Sequence, residues 1–293
     1  MLNIDQVILG DNQFFGVNHM SQDKGKATYE QFKDLSEIKR ILDYALSKGV
    51  RGVMFSTHPS IGGICDMIRE DKYLRENLNF YVNVPYIIKY VSMVTEMGMF
   101  ETIKTTLETQ KENGRLKFMA KTLGNVMTLN HMGILKRLID VELAPFHGLN
   151  VQAVFLHNAL CDLILGYHMK DVLKSYDRYI RSQYHALPGY GTLNYVRFAQ
   201  FLNKCDLEES LVMTAVNKSG FLMNPSRDKV TKAIEKNRHT VLAMATLASG
   251  SVLPQEAYEY IATTTVKNVV VGLSSKKHAD ETFEIIRKYI LEG

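Results

Sequence analysis

Several things are scarce in this sequence. Among 293 residues there are three cysteines and no tryptophan. Cys65, Cys161 and Cys205 lie far apart and form no CxxC pair, so neither a disulfide framework nor a cysteine zinc site is expected. Each reads as a small buried hydrophobe. No HxH or HExxH spacing occurs, and acids at expected strand ends are few beyond Asp11, so no metal is expected. The 35 basic and 31 acidic residues leave a charge of +4, scattered rather than blocked, which argues against nucleic acid as a partner. No stretch reaches the roughly 18 apolar residues needed to cross a bilayer, and Met1–Asp11 lacks the charged start and apolar run of a signal peptide. The expectation is a cytoplasmic protein acting on a small molecule, without nucleic-acid or membrane partners and compatible with a homo-oligomer.

What is present is apolar and periodic. At 46% hydrophobic and 23% charged residues, the chain can bury a sizeable core. Short β-branched runs alternate with stretches of helical period, the pattern of a parallel sheet covered by helices. The expected strands are Gln6–Asp11, Gly52–Thr57, Asn79–Pro85, Lys117–Leu123, Val151–His157, Leu211–Asn217, Val241–Leu247 and Asn268–Leu273. Eight βα units with right-handed crossovers close into a barrel. The expected fold is therefore a single (β/α)8 TIM barrel over 1–293, with an inserted excursion around 160–205. That excursion holds a long helix near Leu163–Ser182, the stretch His185–Asn194 and a helix from Tyr195 to Lys204. Its Pro188-Gly-Tyr-Gly-Thr192 segment is either a ninth strand or a loop over the mouth; if it is a strand, one of the eight lies outside the barrel.

Among the helices, Ser36 is expected to cap one whose apolar face is Ile38, Ile41, Leu42, Ala45 and Leu46, ended by Gly49. Pro225 and Ser226 open another, Pro254 a third, and Ser275 caps the last.

Barrel chemistry occurs at the C-terminal ends of the strands, and nearly every expected end is polar or ionisable. Strand one ends in Asp11 and Asn12, strand two in His58, strand three in Asn83 and Tyr86, and strand four in Lys121. Strand five ends in His157, strand six in Asn217 and Lys218, and the last two in Ser249–Gly250 and Gly272, Ser274 and Ser275. A lysine amine desolvated at such a mouth can act as nucleophile or base; the structural alternative is a lysine snorkelling to solvent or pairing with Asp11. His157 and His58 suit proton transfer near neutral pH or a structural hydrogen bond. The two hydroxyl-rich C-terminal loops suit an anion, and Ser274 or Ser275 equally suits N-capping.

Ala245-Thr-Leu-Ala-Ser-Gly250 followed by a helix, then Val269-Val-Val-Gly-Leu-Ser-Ser-Lys-Lys-His-Ala-Asp-Glu-Thr282, is similar to the last units of the aldo-keto reductase superfamily. Leu9-Gly10 and Phe55-Ser-Thr-His-Pro-Ser-Ile-Gly62 resemble its first two strands. The resemblance implies a (β/α)8 barrel, an NADP cofactor whose phosphates lie on the C-terminal loops, and a catalytic acid, tyrosine, lysine and histidine. Lys121 and His157 are placed for the last two. Ser56 stands where the acid is expected and Ile61 where the tyrosine is, and isoleucine cannot protonate a carbonyl oxygen.

The sequence thus favours a lyase, aldolase or isomerase for a phosphorylated carbonyl compound, with no cofactor. Lys121 or Lys218 would form the Schiff base and His157, Asp11 and His58 would move protons. Asn12, Asn83, Tyr86, Asn217, Ser249, Gly250, Gly272, Ser274 and Ser275 would bind substrate and phosphate. The alternative is an NADP-dependent oxidoreductase in which His58 or Tyr86 replaces the missing tyrosine; a third possibility is a non-catalytic ligand-binding barrel.

Overall fold

A computed structural model describes residues 2–17, 22–87, 89, 131–273 and 276–292. Its strands are β1 (Val7–Leu9), β2 (Gly52–Ser56), β3 (Asn79–Val84), β4 (Val151–Leu156), β5 (Leu187–Gly191), β6 (Leu211–Ala215), β7 (Thr240–Met244) and β8 (Asn268–Val271). They pair in chain order, all parallel, and close when β1 meets β8. The helices described are α1 (Gln22–Phe32), α2 (Leu35–Ser47), α3 (Ile61–Glu70), α4 (Lys72–Asn77), α5 (His131–Leu143), α6 (Asn158–Gly166), α7 (Lys170–Tyr179), α8 (Tyr195–Asn203), α9 (Arg227–Lys236), α10 (Pro254–Ala262) and α11 (Lys276–Ile286). No helix among the described residues is long and apolar enough to cross a membrane.

The fifth stave is the segment the sequence left undecided. Leu187–Gly191 pairs with β4 on one side and β6 on the other. Because β3 bonds directly to Val151–Leu156, the eight places are filled without Lys117–Leu123, which lies outside the described residues. The excursion around 160–205 is therefore a regular part of the barrel wall. Its glycines explain why the strand was hard to see. A Cβ at Gly189 would stand 2.5 Å from the Phe155 ring, so bulk on one stave is traded for its absence on the next.

Alternation along the staves builds two cores. Ile8, Met54, Tyr81, Phe155, Leu211, Met213 and Leu242 point into the barrel. The opposite faces of the strands pack against the helices, as with Val53 and Phe55 against Ile38, Leu42 and Ile64. At the N-terminal end the Tyr81 hydroxyl donates to Asp5 Oδ2 at 2.7 Å and Asn79 Nδ2 to the same oxygen at 2.9 Å, closing that end with satisfied polar groups.

The helices follow their expected faces with two local differences. Asp34, not Ser36, caps α2, its carboxylate accepting from the Ser36 N–H at 2.9 Å; an acid two residues earlier reaches the first free N–H groups better than a residue already inside the turn. Ile38, Ile41, Leu42 and Ala45 are buried, and Gly49 at φ +81° ends the helix. Ser226 caps α9 as expected. The long helix of 163–182 is two, α6 and α7, separated at Tyr167–Met169, where His168 adopts φ +54°. A left-handed residue cannot continue a right-handed helix. Ser275 lies outside the described residues.

Candidate active site

The C-terminal end of β1 delivers a buried acid. Asp11 is 6% exposed, and its Oδ2 accepts from the backbone N–H of Ser56, the last residue of β2, at 2.5 Å. Burial outweighs that hydrogen bond and pushes the carboxyl up to about 6. The residue standing where an acid was expected thus holds, through its amide, a carboxylate sent from the neighbouring strand. Gln13 folds back over the same end, Nε2 donating to Gly10 O at 2.6 Å; Asn12 is exposed.

One residue beyond Ser56, a buried clasp joins β2 to the end of β3. The Thr57 hydroxyl donates to the Glu142 carboxylate and accepts from the Tyr86 N–H at 3.1 Å. Glu142 Oε2 also accepts from the Tyr86 N–H at 3.3 Å, and its other oxygen meets Lys89 Nζ at 3.3 Å. Glu142 is 3% exposed, so these partners compensate a carboxylate that would otherwise be costly to bury. The clasp fixes the backbone that presents Tyr86. Its ring stands edge-on to His58 at 5.0 Å, and the other face of His58 stacks on Phe15 at 4.2 Å. The Tyr86 phenol is raised above its ordinary value by burial and by the charge of Asp11, so it stays protonated at neutral pH. It makes no hydrogen bond among the described residues.

On the neighbouring stave, His157 follows the end of β4, its N–H donating to Val84 O at 2.7 Å. Its Nδ1 accepts from the Ala159 N–H at 3.2 Å and caps α6, which places the ring proton on Nε2. Burial lowers the imidazole below its ordinary value, so His157 is a neutral donor at pH 7. His58 has the same construction, with Nδ1 accepting from the Ser60 N–H at 3.1 Å and burial lowering its proton affinity. Within the barrel, Asn83 stands between Ser56 and Phe155 in register, on the inward face it shares with Tyr81. Its Oδ1 is buried without a hydrogen-bond partner, a deficit of about 1–3 kcal/mol.

The other half of the mouth differs from expectation. Asn217 is fully buried, but its side chain is occupied within its own loop: Nδ2 donates to Phe221 O at 2.9 Å, and Oδ1 accepts from the Phe221 N–H at 2.8 Å and the Ser219 hydroxyl at 3.0 Å. Lys218 is exposed and ion-paired with Glu256 on α10 at 2.9 Å, not desolvated at the mouth. After β7 the chain turns through Ala245, Ala248, Ser249 and Gly250, all at positive φ. Such backbone costs of order 1 kcal/mol or more at each non-glycine position. The Gly250 N–H donates within the turn to Leu247 O at 2.8 Å, while that of Ser249 has no partner among the described residues. Among the described residues nothing lies within 4 Å of a Cβ placed on Gly250. Gly272 ends β8 near Gln13, whose Oε1 would lie 3.4 Å from its Cβ. Lys121, Ser274 and Ser275 lie outside the described residues. No group of three or more His, Cys, Asp or Glu among the described residues could hold a metal.

The sequence places Asp11, Thr57, His58, Asn83, Tyr86 and His157 at strand ends on one side of the barrel, and gives no role to Phe15 or Glu142. For Glu142 a signal existed. Leu135, Ile139, Glu142 and Leu143 share the spacing of one helical face, and an acid on an apolar face needs a partner.

No protein-family model and no curated protein matches the sequence. Solved structures match the fold along nearly its whole length. A protein assigned as an aldo-keto reductase from Pseudomonas aeruginosa superposes with a TM-score of 0.63 at 12% identity, over 98% of this chain and 92% of its own. The barrel has an aldo-keto reductase-like fold. A 2,5-diketo-D-gluconic acid reductase B aligns at 0.53 and 14% identity over 99% of this chain and 86% of its own. An aldo/keto reductase from Brucella melitensis aligns at 0.50 and 14% over 96% and 88%. These likenesses correct the expectation of a lyase, aldolase or isomerase with a Schiff-base lysine, since the proteins sharing the fold are designated reductases. The geometry supplies the physical reason for Lys218: an exposed, ion-paired ammonium is not the desolvated amine such chemistry needs. The expectation of no cofactor belonged to that mechanism and loses its basis with it.

Proposed function

We propose that this chain is a nicotinamide-dependent oxidoreductase that reduces a small carbonyl compound, with Tyr86 as its proton donor. The observation that carries it is the Tyr86 phenol. It is protonated, makes no hydrogen bond among the described residues, is held beside Asp11, and is presented from the stave next to that of His157. The tyrosine missing at position 61, where Ile61 is buried in the core, is thereby supplied from the end of β3. The acid missing at position 56 is supplied by Asp11 from β1.

When bound, a nicotinamide cofactor would supply hydride for the carbonyl carbon. The β7 turn would hold an anionic part of such a cofactor through the Ser249 N–H, which has no partner among the described residues, and through the Ser249 hydroxyl beside Gly250. The His157 Nε2–H hydrogen-bonds the substrate oxygen and polarises it, and the Tyr86 hydroxyl donates its proton to that oxygen as negative charge develops there. Phe15 and His58 wall the site and limit water beside the phenol.

Binding of NADPH, read from quenching of tyrosine fluorescence, and its oxidation with small aldehydes and ketones test this. Tyr86→Phe should lower kcat by about 10²- to 10⁴-fold and leave NADPH binding unchanged. Absence of NADPH and NADH binding at millimolar concentration, or full activity in Tyr86→Phe, would refute it.

A further inference from the structure

Among the described residues, Asn83 is a polar side chain left with an unsatisfied oxygen at the C-terminal end of the barrel. Among the described residues the other buried side-chain oxygens without a hydrogen-bond partner, the hydroxyls of Tyr195 and Tyr258, lie on α8 and α10 outside the staves. Asn83 lies inside, on the C-terminal layer. Its neighbours in register are Ser56, whose amide holds Asp11, and Phe155, two residues before His157 on the same stave. Two strand residues span about 7 Å, so the Asn83 amide stands about one small molecule's length below the level of His157. Beneath it on its own stave is Tyr81, beside it is Phe155, and the inward residues of the opposite staves are Met213, Met244 and Val270. A polar end of a ligand held at His157 and Tyr86 and reaching down the barrel meets the inward-facing Asn83, with thioethers and aliphatic carbon across the barrel.

We infer that Asn83 is a substrate-binding residue that recognises a hydroxyl within two carbons of the reacting carbonyl, making hydroxy-aldehydes and hydroxy-ketones the preferred substrates. A hydroxyl is the group that fits, because it both donates and accepts. Whichever way round the amide lies, it offers one atom the hydroxyl can satisfy. A simple alkyl substrate leaves the buried Oδ1 as unsatisfied as it is in the free protein. A site containing a polar group that only the correct substrate pairs discriminates strongly against the analogue lacking it.

This inference rests on the carbonyl-reductase reading, and one experiment separates their fates. NADPH oxidation is measured with hydroxyacetone and with 2-butanone for wild type, Asn83→Leu and Asn83→Ala, and each protein is also melted without ligand. Wild type should prefer hydroxyacetone in kcat/KM by about ten- to a hundredfold, and both variants should lose most of that preference through hydroxyacetone alone. Their melting temperatures should equal or exceed that of wild type, since no internal hydrogen bond is lost. An unchanged preference in the variants, or a drop of several degrees in both, overturns the role of Asn83 and leaves the reductase standing. Turnover of neither ketone, with no NADPH bound, overturns the reductase and this inference with it.

Discussion

Replacing Asp11 by asparagine should stabilise the protein, and only at a pH where the acid is ionised. The carboxyl is 6% exposed and held at about 6, against 3.8 for an exposed aspartate. Its ionised form is therefore about 3 kcal/mol less favourable in the folded protein than in the unfolded chain. The proton is bound more tightly when folded. The stabilising contribution is then complete below about 3.8 and lost as pH rises through about 6. Asparagine keeps the shape and an acceptor for the Ser56 N–H without the charge. Asp11→Asn should melt about 5–10 °C above wild type at pH 8, and the gap should shrink towards zero at about pH 4, where the wild-type acid is also neutral. Thermal denaturation followed by circular dichroism across that range reads the difference directly. A gap independent of pH, or one that widens in acid, would refute the account of Asp11 as a carboxyl kept ionisable at the expense of stability. The same variant should lose reductase activity at pH 8, a loss of function accompanying a gain in stability.

The clasp at Glu142 should matter for turnover more than for binding. Glu142→Ala is expected to lower kcat at least about tenfold with little change in KM and to cost about 3 kcal/mol of stability, whereas Glu142→Gln, which can still accept from Thr57 and Tyr86, should recover most of the turnover. Equal kcat in Glu142→Ala and wild type would make the clasp structural only. Lys218→Met should leave activity unchanged and shift the melting temperature by no more than about 3 °C, because an exposed pair contributes about 0–1 kcal/mol; loss of turnover in that variant would restore a chemical role for the lysine.

The local periodicities were enough to read the barrel and most of its staves. Val269-Val-Val271 and Val151–Leu156 are near-continuous apolar runs, which only strands covered on both faces can tolerate. The helix faces of Ile38, Ile41, Leu42 and Ala45, and of Val230 and Ile234, follow from 3.6-residue spacing. Asp11, Asn83, Tyr86 and His157 could be named because barrel topology sends strand ends to one mouth wherever the helices lie. Stave five was not legible. Leu-Pro-Gly-Tyr-Gly has the composition of a turn, and it is a strand because Phe155 on the next stave fills the space its glycines leave. Nor could the sequence show that Asp11 reaches the Ser56 amide, 45 residues away, or that Glu142 reaches Thr57, 85 residues away. Linear spacing encodes which face of its own element a residue occupies. Which groups from different elements share a hydrogen bond depends on the register and closure of the whole sheet, and here those decided that Asp11 meets the Ser56 amide and Glu142 the Thr57 hydroxyl.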